Sequence, residues 1–393
     1  MEFSFNEEQN KLRNEVQQFL KKELPTDWVG YYGTTIDDSV AHVDNGFEMF
    51  KQVARKMGER KWLSITWPEE YGGLASSNVT SLIFFEEVAR RGSVGFSACG
   101  AKMFAPTLIM YGTPEQKEKY LKPIAEGKQY WCEGFSEPEA GSDLASLQTR
   151  ATKDGDYYII NGQKTWTTFC IYSNFCAMIV RTDPESKRHR GLSFFMVDLK
   201  TPGITVNPIN NLLDEPHFGE VFFDNVKVHK SDMLGPEGEG WKVAQSFLSF
   251  ERVSIAPISA VFTMAEKISD FLKANPEFEK PGSKQMLASM VAEAEVGRLM
   301  SYQVAWMQDK GTATEWHAAM TRLYSTRLWR KYATESLNML GLYGQLEDTD
   351  KRAPMKGFLE HQYLSALGAT VAAGTSEIQK YVIAIRGLGL AGN

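Results

Sequence analysis

The sequence predicts an α+β chain laid out in three zones: helical, then β, then helical. Three observations carry this expectation. Apolar residues recur with a helical period from residue 6 to about 130, strand-length runs replace that period from about 132 to 240, and the helical period then returns to about residue 388. The boundaries expected on this basis are an N-terminal helical domain over 1–131, a middle antiparallel β barrel or sandwich over 132–240, and a C-terminal helical bundle over 241–393.

In the first zone, Phe5, Leu12, Val16, Phe19 and Leu20 recur at three- and four-residue steps. So do Phe47, Phe50, Val53, Ala54 and Met57, and then Leu82, Phe85, Val88 and Ala89. Thr113-Pro114-Glu115 reads as a helix start, with Thr113 as N-cap and Pro114 in the first turn. In the second zone, residues 156–160, 175–180, 192–197 and 220–223 are rich in β-branched and aromatic side chains. Turn signals separate them at Asp154-Gly155, Asn161-Gly162, Pro202-Gly203 and Asp224-Asn225. The glycine-rich stretch Gly235–Gly240 marks the passage to the third zone.

Composition excludes several classes of function. The 393 residues are 43% hydrophobic and 23% charged, ordinary for a globular protein and contrary to bulk disorder. A net charge of -6 offers no basic surplus for a nucleic acid. The one dense basic cluster, Lys187, Arg188, His189 and Arg190, lies between strand-like runs and reads as a solvated loop. No apolar run approaches the roughly 20 residues needed to span a bilayer, and the acidic N-terminus does not read as a signal peptide. Cys99, Cys132, Cys170 and Cys176 form no disulfide pattern, and the six histidines show no metal-ligand spacing. A reduced, cytoplasmic protein without a metal site is expected.

Gly387-Leu388-Gly389-Leu390-Ala391-Gly392 matches the dinucleotide pattern G-x-G-x-x-G but lacks the strand before it and the helix after it. The stronger constellation pairs Ser136-Glu137-Pro138-Glu139-Ala140-Gly141-Ser142-Asp143 with Asn161-Gly162-Gln163-Lys164-Thr165-Trp166-Thr167-Thr168. The first stretch offers hydroxyls and free N–H groups in a loop relieved by Gly141. The second adds an indole and further hydroxyls where a hairpin meets the next segment. Aromatic faces with hydroxyl and N–H donors suit a planar heterocycle bearing ring nitrogens and carbonyls. Either stretch alone could be a structural loop; the pair, about twenty residues apart, is specific.

Together with Trp67-Pro68-Glu69-Glu70-Tyr71-Gly72-Gly73, Tyr111–Lys117 and Gly374-Thr375-Ser376-Glu377-Ile378-Gln379, these motifs make the chain resemble the acyl-CoA dehydrogenases along essentially its whole length. The resemblance implies that the C-terminal helices form a four-helix bundle, that FAD is the cofactor, and that the Cα–Cβ bond of an acyl-CoA thioester is oxidised. It implies that Phe135, Ser136, Trp166 and Thr168 surround the flavin ring, that Gly141 also binds the cofactor, and that Thr375 and Glu377 touch the adenosine-diphosphate half of FAD. On the substrate side it implies Ser142 at the pantetheine arm, Arg252, and the backbone N–H of Ala373 at the thioester oxygen. Electrons would pass to an electron-transfer flavoprotein, in the catabolism of a lipid or carboxylic acid.

The reaction needs a carboxylate to take the α-proton. Many family members place it immediately before the Gly-Thr of the C-terminal motif, where this chain has Ala373. The isovaleryl and long-chain types place it before an Arg on the first helix of the C-terminal domain, which corresponds to Glu251 in Phe250-Glu251-Arg252-Val253. Read without the family, Glu251 sits at helical spacing from Phe247, Leu248 and Ile255, and a desolvated carboxylate is a better proton acceptor near neutral pH. The bland alternative is a helix glutamate paired with a nearby cation. Glu377 is a further candidate base.

Two departures concern assembly. The family usually carries an Arg-x-x-Phe-Gly sequence that reaches FAD in a neighbouring subunit; here the region reads Ala274-Asn275-Pro276-Glu277-Phe278-Glu279-Lys280. The Gln-x-x-Gly-Gly segment appears as Asn338-Met339-Leu340-Gly341-Leu342. A hetero-oligomer with a related, acyl-CoA dehydrogenase-like subunit is therefore expected, the alternative being a homo-oligomer in which Lys280 or Lys284 takes the role. Small residues in Gly92–Ala101 lie where the family's substrate cavity is, which points to a bulky, branched or ring-bearing acyl group. The remaining alternatives are an acyl-CoA oxidase, for which the chain is short, and a non-catalytic subunit that completes a partner's FAD site.

Overall fold

The computed structural model describes residues 4–26, 28, 46–251 and 255–390, and of residue 251 the backbone alone. In chain order the helices are α1 (Glu7–Glu23), α2 (Gly46–Glu59), α3 (Asn78–Ala89), α4 (Ala105–Tyr111), α5 (Pro114–Ala125), α6 (Gly240–Glu251), α7 (Ala256–Ala274), α8 (Ser283–Asp309), α9 (Glu315–Leu340), α10 (Phe358–Ala369) and α11 (Ser376–Val382). The strands are β1 (Trp131–Gly134), β2 (Arg150–Asp154), β3 (Tyr157–Lys164), β4 (Phe175–Arg181), β5 (Leu192–Asp198), β6 (Ile204–Ile209), β7 (Phe218–His229) and β8 (Met233–Leu234). The order is the expected one: helices, then strands, then helices.

Contacts group the chain into two compact units, each discontinuous in sequence. Unit 1 joins Met1–Ser39, Ser76–Val94 and Arg252–Asn393; unit 2 joins Val40–Ala75 and Gly95–Glu251.

Unit 2 carries one eight-stranded sheet in the order β6-β7-β3-β2-β4-β5-β8, with β1 paired to β4. Pairing is mostly antiparallel, while β1 pairs parallel with β4 and β2 does so at its first residue, Arg150. Strands β4 and β5 are buried almost throughout, which explains their unbroken apolar runs. One face packs Cys176, Met178, Val180, Phe195 and Val197 into a core with Tyr158, Ile160 and Val221. On β5, Phe194 instead meets Phe247 of α6, ring centres 5.9 Å apart. Gly240 lets α6 start against the β5 backbone, since a Cβ there would lie 2.4 Å from the Ser193 carbonyl carbon. Helix α5 begins as its sequence predicts: Thr113 caps the Gln116 N–H, and the Gln116 side chain accepts from the Thr113 N–H. Gln116 also donates to the carbonyls of Ser231 and Met233, tying the helix to the end of the β region.

Four strands lie outside the expected runs. β1 and β8 are short, β2 buries only Ala151, and β6 is an edge strand that tolerates Pro208. β7 is longer than expected because it pairs along its length with both β3 and β6.

Unit 1 packs α7 to α10 around Ile258, Val261, Met264, Met290, Trp329, Tyr332 and Phe358, with α3 contributing Leu82 and Ile83. A buried ionic cluster joins α1, α3 and α8: Glu86 accepts from Arg13 at 2.8 Å, Arg298 at 2.5 Å and the Tyr302 hydroxyl at 2.7 Å. Cys132, Cys170 and Cys176 are buried free thiols, with Cys99 half-buried. The G-x-G-x-x-G match follows helix α11 and a π-turn over Ile383–Gly387, not a strand, and its Gly392 lies outside the described residues. Among the described residues no helix is long and apolar enough to cross a membrane.

Candidate active site

The two motif stretches of the β region meet where β1 and β3 end. Thr165 N–H donates to the Ser136 carbonyl at 2.9 Å. The alternation of β3 turns Lys164 inward, and its side chain is 0% exposed. There its ammonium donates to the Phe135 carbonyl at 3.1 Å and to Glu137 at 2.8 Å. Glu137 accepts two more bonds, from the N–H groups of Gln148 and Thr149. Burial pulls the Lys164 ammonium below its usual range, against the opposing pull of Glu137. Burial acts to raise the Glu137 carboxyl, but the Lys164 charge and the Gln148 N–H outweigh it and hold it low. Lys164 and Glu137 stand in the quoted motifs, yet sequence reasoning assigned them no role; the signal was a lysine at an inward strand position.

This pair holds a set of unused donors in place. Trp166 has a left-handed φ of 55° and is 60% exposed, its ring edge-on to Phe218 at 5.8 Å. Thr167 is anchored by paired backbone bonds with Gly219. Among the described residues, the hydroxyls of Ser136 and Thr168 and the N–H groups of Ser136, Trp166 and Thr168 have no hydrogen-bond partner, and the buried Thr167 hydroxyl has none either. Gly141 follows the tight Glu137–Ala140 turn, and the space around its Cβ position is open to 4 Å. Ser142 and Asp143 beside it are exposed. An exposed aromatic face ringed by free donors fits a flavin, whose ring edge presents nitrogens and carbonyls.

Phe135 is buried and leans on Phe247 of α6, ring centres 5.3 Å apart, so the end of β1 and helix α6 are packed together. A second tie joins Tyr111 of α4 to Ser246 of α6 by a 2.8 Å hydrogen bond. Helix α6 ends at Glu251. The Glu251 side chain and the whole of Arg252 lie outside the described residues.

In unit 1 the expected residues cluster on the turn between α10 and α11. Ala373 (φ 51°) and Gly374 (φ 92°) both take left-handed backbone. Gln379 donates to both their carbonyls, and Arg322 donates to the Ala372 carbonyl at 2.5 Å. The Ala373 N–H has no acceptor among the described residues. The Thr375 hydroxyl caps α11 by accepting from the Ile378 N–H at 3.2 Å. Glu377 is exposed, 3.8 Å from Lys380.

The two segments that depart from the family pattern lie side by side in unit 1. Phe278 meets Tyr343 edge-on at 5.6 Å, and the Lys280 ammonium is 3.8 Å from a Cβ placed on Gly341. Lys284 is engaged by Glu279 at 3.0 Å, and Leu342 is 82% exposed.

Comparison with known proteins identifies the family of the chain. The acyl-CoA dehydrogenase N-terminal, middle and C-terminal domain families match residues 6–128, 132–226 and 238–388. Acyl-CoA dehydrogenase FadE26 of Mycobacterium tuberculosis is 30% identical over 411 residues, spanning 99% of this chain and 99% of that protein. The solved Tcur3481-Tcur3483 steroid ACAD shares 29% identity with a TM-score of 0.91 over 100% of both chains. The ChsE4-ChsE5 complex from Mycobacterium tuberculosis shares 28% identity with a TM-score of 0.89, again over 100% of both chains. The chain belongs to the acyl-CoA dehydrogenase family, and is an FAD flavoprotein and an oxidoreductase acting on acyl-CoA.

Proposed function

We propose that this protein dehydrogenates a bulky, branched or ring-bearing acyl-CoA to its 2-enoyl-CoA, with Glu251 as the base. The observation that carries the reading is the contrast between positions 373 and 251. The turn in unit 1 presents a methyl group and an unbonded N–H, whereas α6, packed onto Phe135, ends in a carboxylic residue. Glu251 takes the α-proton, and the Ala373 N–H holds the thioester oxygen as negative charge develops there. FAD, when bound, supplies the acceptor for the hydride leaving Cβ. Ser136, Trp166 and Thr168 orient the ring, Gly141 leaves room beside it, and Thr375 and Glu377 serve the nucleotide end. Ser142 and Arg252 hold the CoA thioester.

The acyl class draws support from two directions. Cys99–Phe104 forms a π-helical turn beside α6, a widened geometry common at functional sites, and Gly100 and Ala101 within it are small. The relative Tcur3481-Tcur3483 is described as a steroid ACAD. A turnover screen over straight-chain, branched, aryl and steroid-side-chain CoA thioesters tests the reading: preference for a ring-bearing or branched member is expected, and preference for a short straight chain overturns it.

The same reading includes the three-domain division at 131 and 240, electron transfer to an electron-transfer flavoprotein, a cytoplasmic location, and a hetero-oligomer with a related chain. For the last, Ala274–Lys280 offers Glu277 and Glu279 where a facing Arg would pair with the FAD diphosphate. ChsE4-ChsE5, a complex of two named chains, is a precedent among its relatives. Co-expression with a neighbouring paralogue and native mass measurement should give a mixed assembly; a fully flavinylated, active homo-oligomer overturns it.

A further inference from the structure

One carbonyl in the helical run Cys99–Tyr111 loses its backbone donor to the sequence, and a distant tryptophan replaces it. The run opens as the π-helical turn Cys99–Phe104 and continues as α4. In α-helical register the Ala101 carbonyl would accept from the Ala105 N–H, and in π register from residue 106. The Ala105 N–H donates to the Gly100 carbonyl instead, and residue 106 is a proline with no N–H to give. The indole Nε1 of Trp67 fills the gap, donating to the Ala101 carbonyl at 3.1 Å. Both residues are buried, so without that donor the carbonyl would stand unsatisfied away from water.

The Trp67–Gly73 motif aims this indole. The Trp67 N–H donates to the Ser64 carbonyl at 3.0 Å, and the Trp67 carbonyl accepts from the Ala75 N–H at 2.9 Å. Gly73 has to be a glycine, because a Cβ there would collide with the Trp67 carbonyl oxygen. The fully buried Ser64 hydroxyl ties the returning loop by donating to the Gly72 carbonyl at 3.1 Å. Within the turn, a Cβ on Gly100 would lie 3.4 Å from the Trp131 ring, and Phe104 stacks on that ring with centres 3.6 Å apart. The turn packs beside α6. Closing it by one residue into α register would rotate the preceding side chains by about 100° and change which of them face Trp131 and α6.

We propose that Trp67 is a positioning residue that sets acyl-group specificity. By holding the Ala101 carbonyl, its indole fixes the wide register of the 99–104 turn, and through it the wall that a bulky acyl group meets beside α6. The inference rests on the acyl-CoA reading, because it takes the space between this turn and α6 as the acyl site. An acyl group large enough to reach the turn feels the loss of the indole donor, and CoA alone does not.

The test uses the assembled, FAD-loaded enzyme carrying Trp67→Phe, which keeps the ring and removes the N–H. Calorimetry compares CoA with two non-oxidisable 3-thia-acyl-CoA analogues, one ring-bearing and one short and straight. The ring-bearing analogue should weaken about 10-fold, the scale on which an apolar pocket discriminates by shape. The straight one should weaken less, and CoA should stay level. Pro106→Ala restores a backbone donor and lets the turn close, so it should shift selectivity in the same direction. Adding Trp67→Phe to it should then change little, because the carbonyl no longer needs the indole. Where Trp67→Phe alone does not fold, Pro106→Ala carries the selectivity measurement. Equal weakening of all three ligands, unchanged selectivity, or additive effects of the two substitutions overturns the proposal. Because none of these ligands is turned over, an inactive thioester panel sinks the dehydrogenation reading while this one is still judged by the change in selectivity.

Discussion

The two residue clusters of this protein are held in different ways. In unit 2 the donors around Trp166 depend on long-range contacts: Lys164 reaches Phe135 and Glu137, 29 and 27 residues earlier, from inside an eight-stranded sheet. In unit 1 the Ala373–Thr375 turn is held by neighbours three to six residues away, Ile378 and Gln379, and Arg322 adds a distant support at the Ala372 carbonyl beside it. A locally capped turn yields locally when altered, whereas a cluster built on a buried pair fails with its sheet.

The largest effect should come from the contrast between the candidate bases. Glu251→Gln keeps shape and removes the proton acceptor, and turnover should fall about 10²–10⁴-fold with flavin content preserved. Glu377→Gln in unit 1 should keep turnover per bound flavin near wild type, any loss appearing as weaker flavin retention. The reverse ranking would move the base to unit 1.

Next comes the buried pair. Lys164→Met leaves Glu137 buried without its cation and should cost about 3–5 kcal/mol in chemical denaturation, with weaker flavin retention. Near-native stability would show that the two backbone N–H bonds on Glu137 suffice.

Acid should separate the units by sign. The Glu137 carboxyl is held below its usual range, so its stabilisation is complete above the unfolded value of about 4.3 and is lost as pH falls through the depressed native value. The melting-temperature gap between wild type and Glu137→Gln should therefore narrow toward pH 3. In unit 1 burial raises the Glu87 carboxyl, so the native state takes up that proton before the unfolded chain does. Wild type should gain on Glu87→Gln as pH falls through the raised native value. Parallel trends for the two variants would remove the distinction.

The smallest effect belongs to the local turn. Thr375→Ala removes the cap on the Ile378 N–H and should cost about 1 kcal/mol, read as a modest shift in thermal melting.

Much of the fold was legible in the sequence because it is local. The helical period placed Val16, Phe19, Leu20, Phe50, Val53 and Met57 inward, and all are buried. Thr113 and Pro114 announced the start of α5 through the chemistry of a single turn. Runs buried on both faces marked β4 and β5. Strands such as β2 and β6 were not legible: their residues are mostly exposed, and pairing with neighbours distant in sequence makes them strands.

The candidate site divides along the same line. Sequence by itself determined which residue types are present: the hydroxyls and indole of 136 and 166–168, the absence of a carboxylate at 373, and its presence at 251. Only the tertiary structure decided that Lys164 lies buried under Phe135, that Trp166 stands exposed on left-handed backbone, and that Trp67 reaches the Ala101 carbonyl. The physical reason is that a donor finds its acceptor through space, and buried polar groups must be satisfied by whatever the packed chain brings within reach.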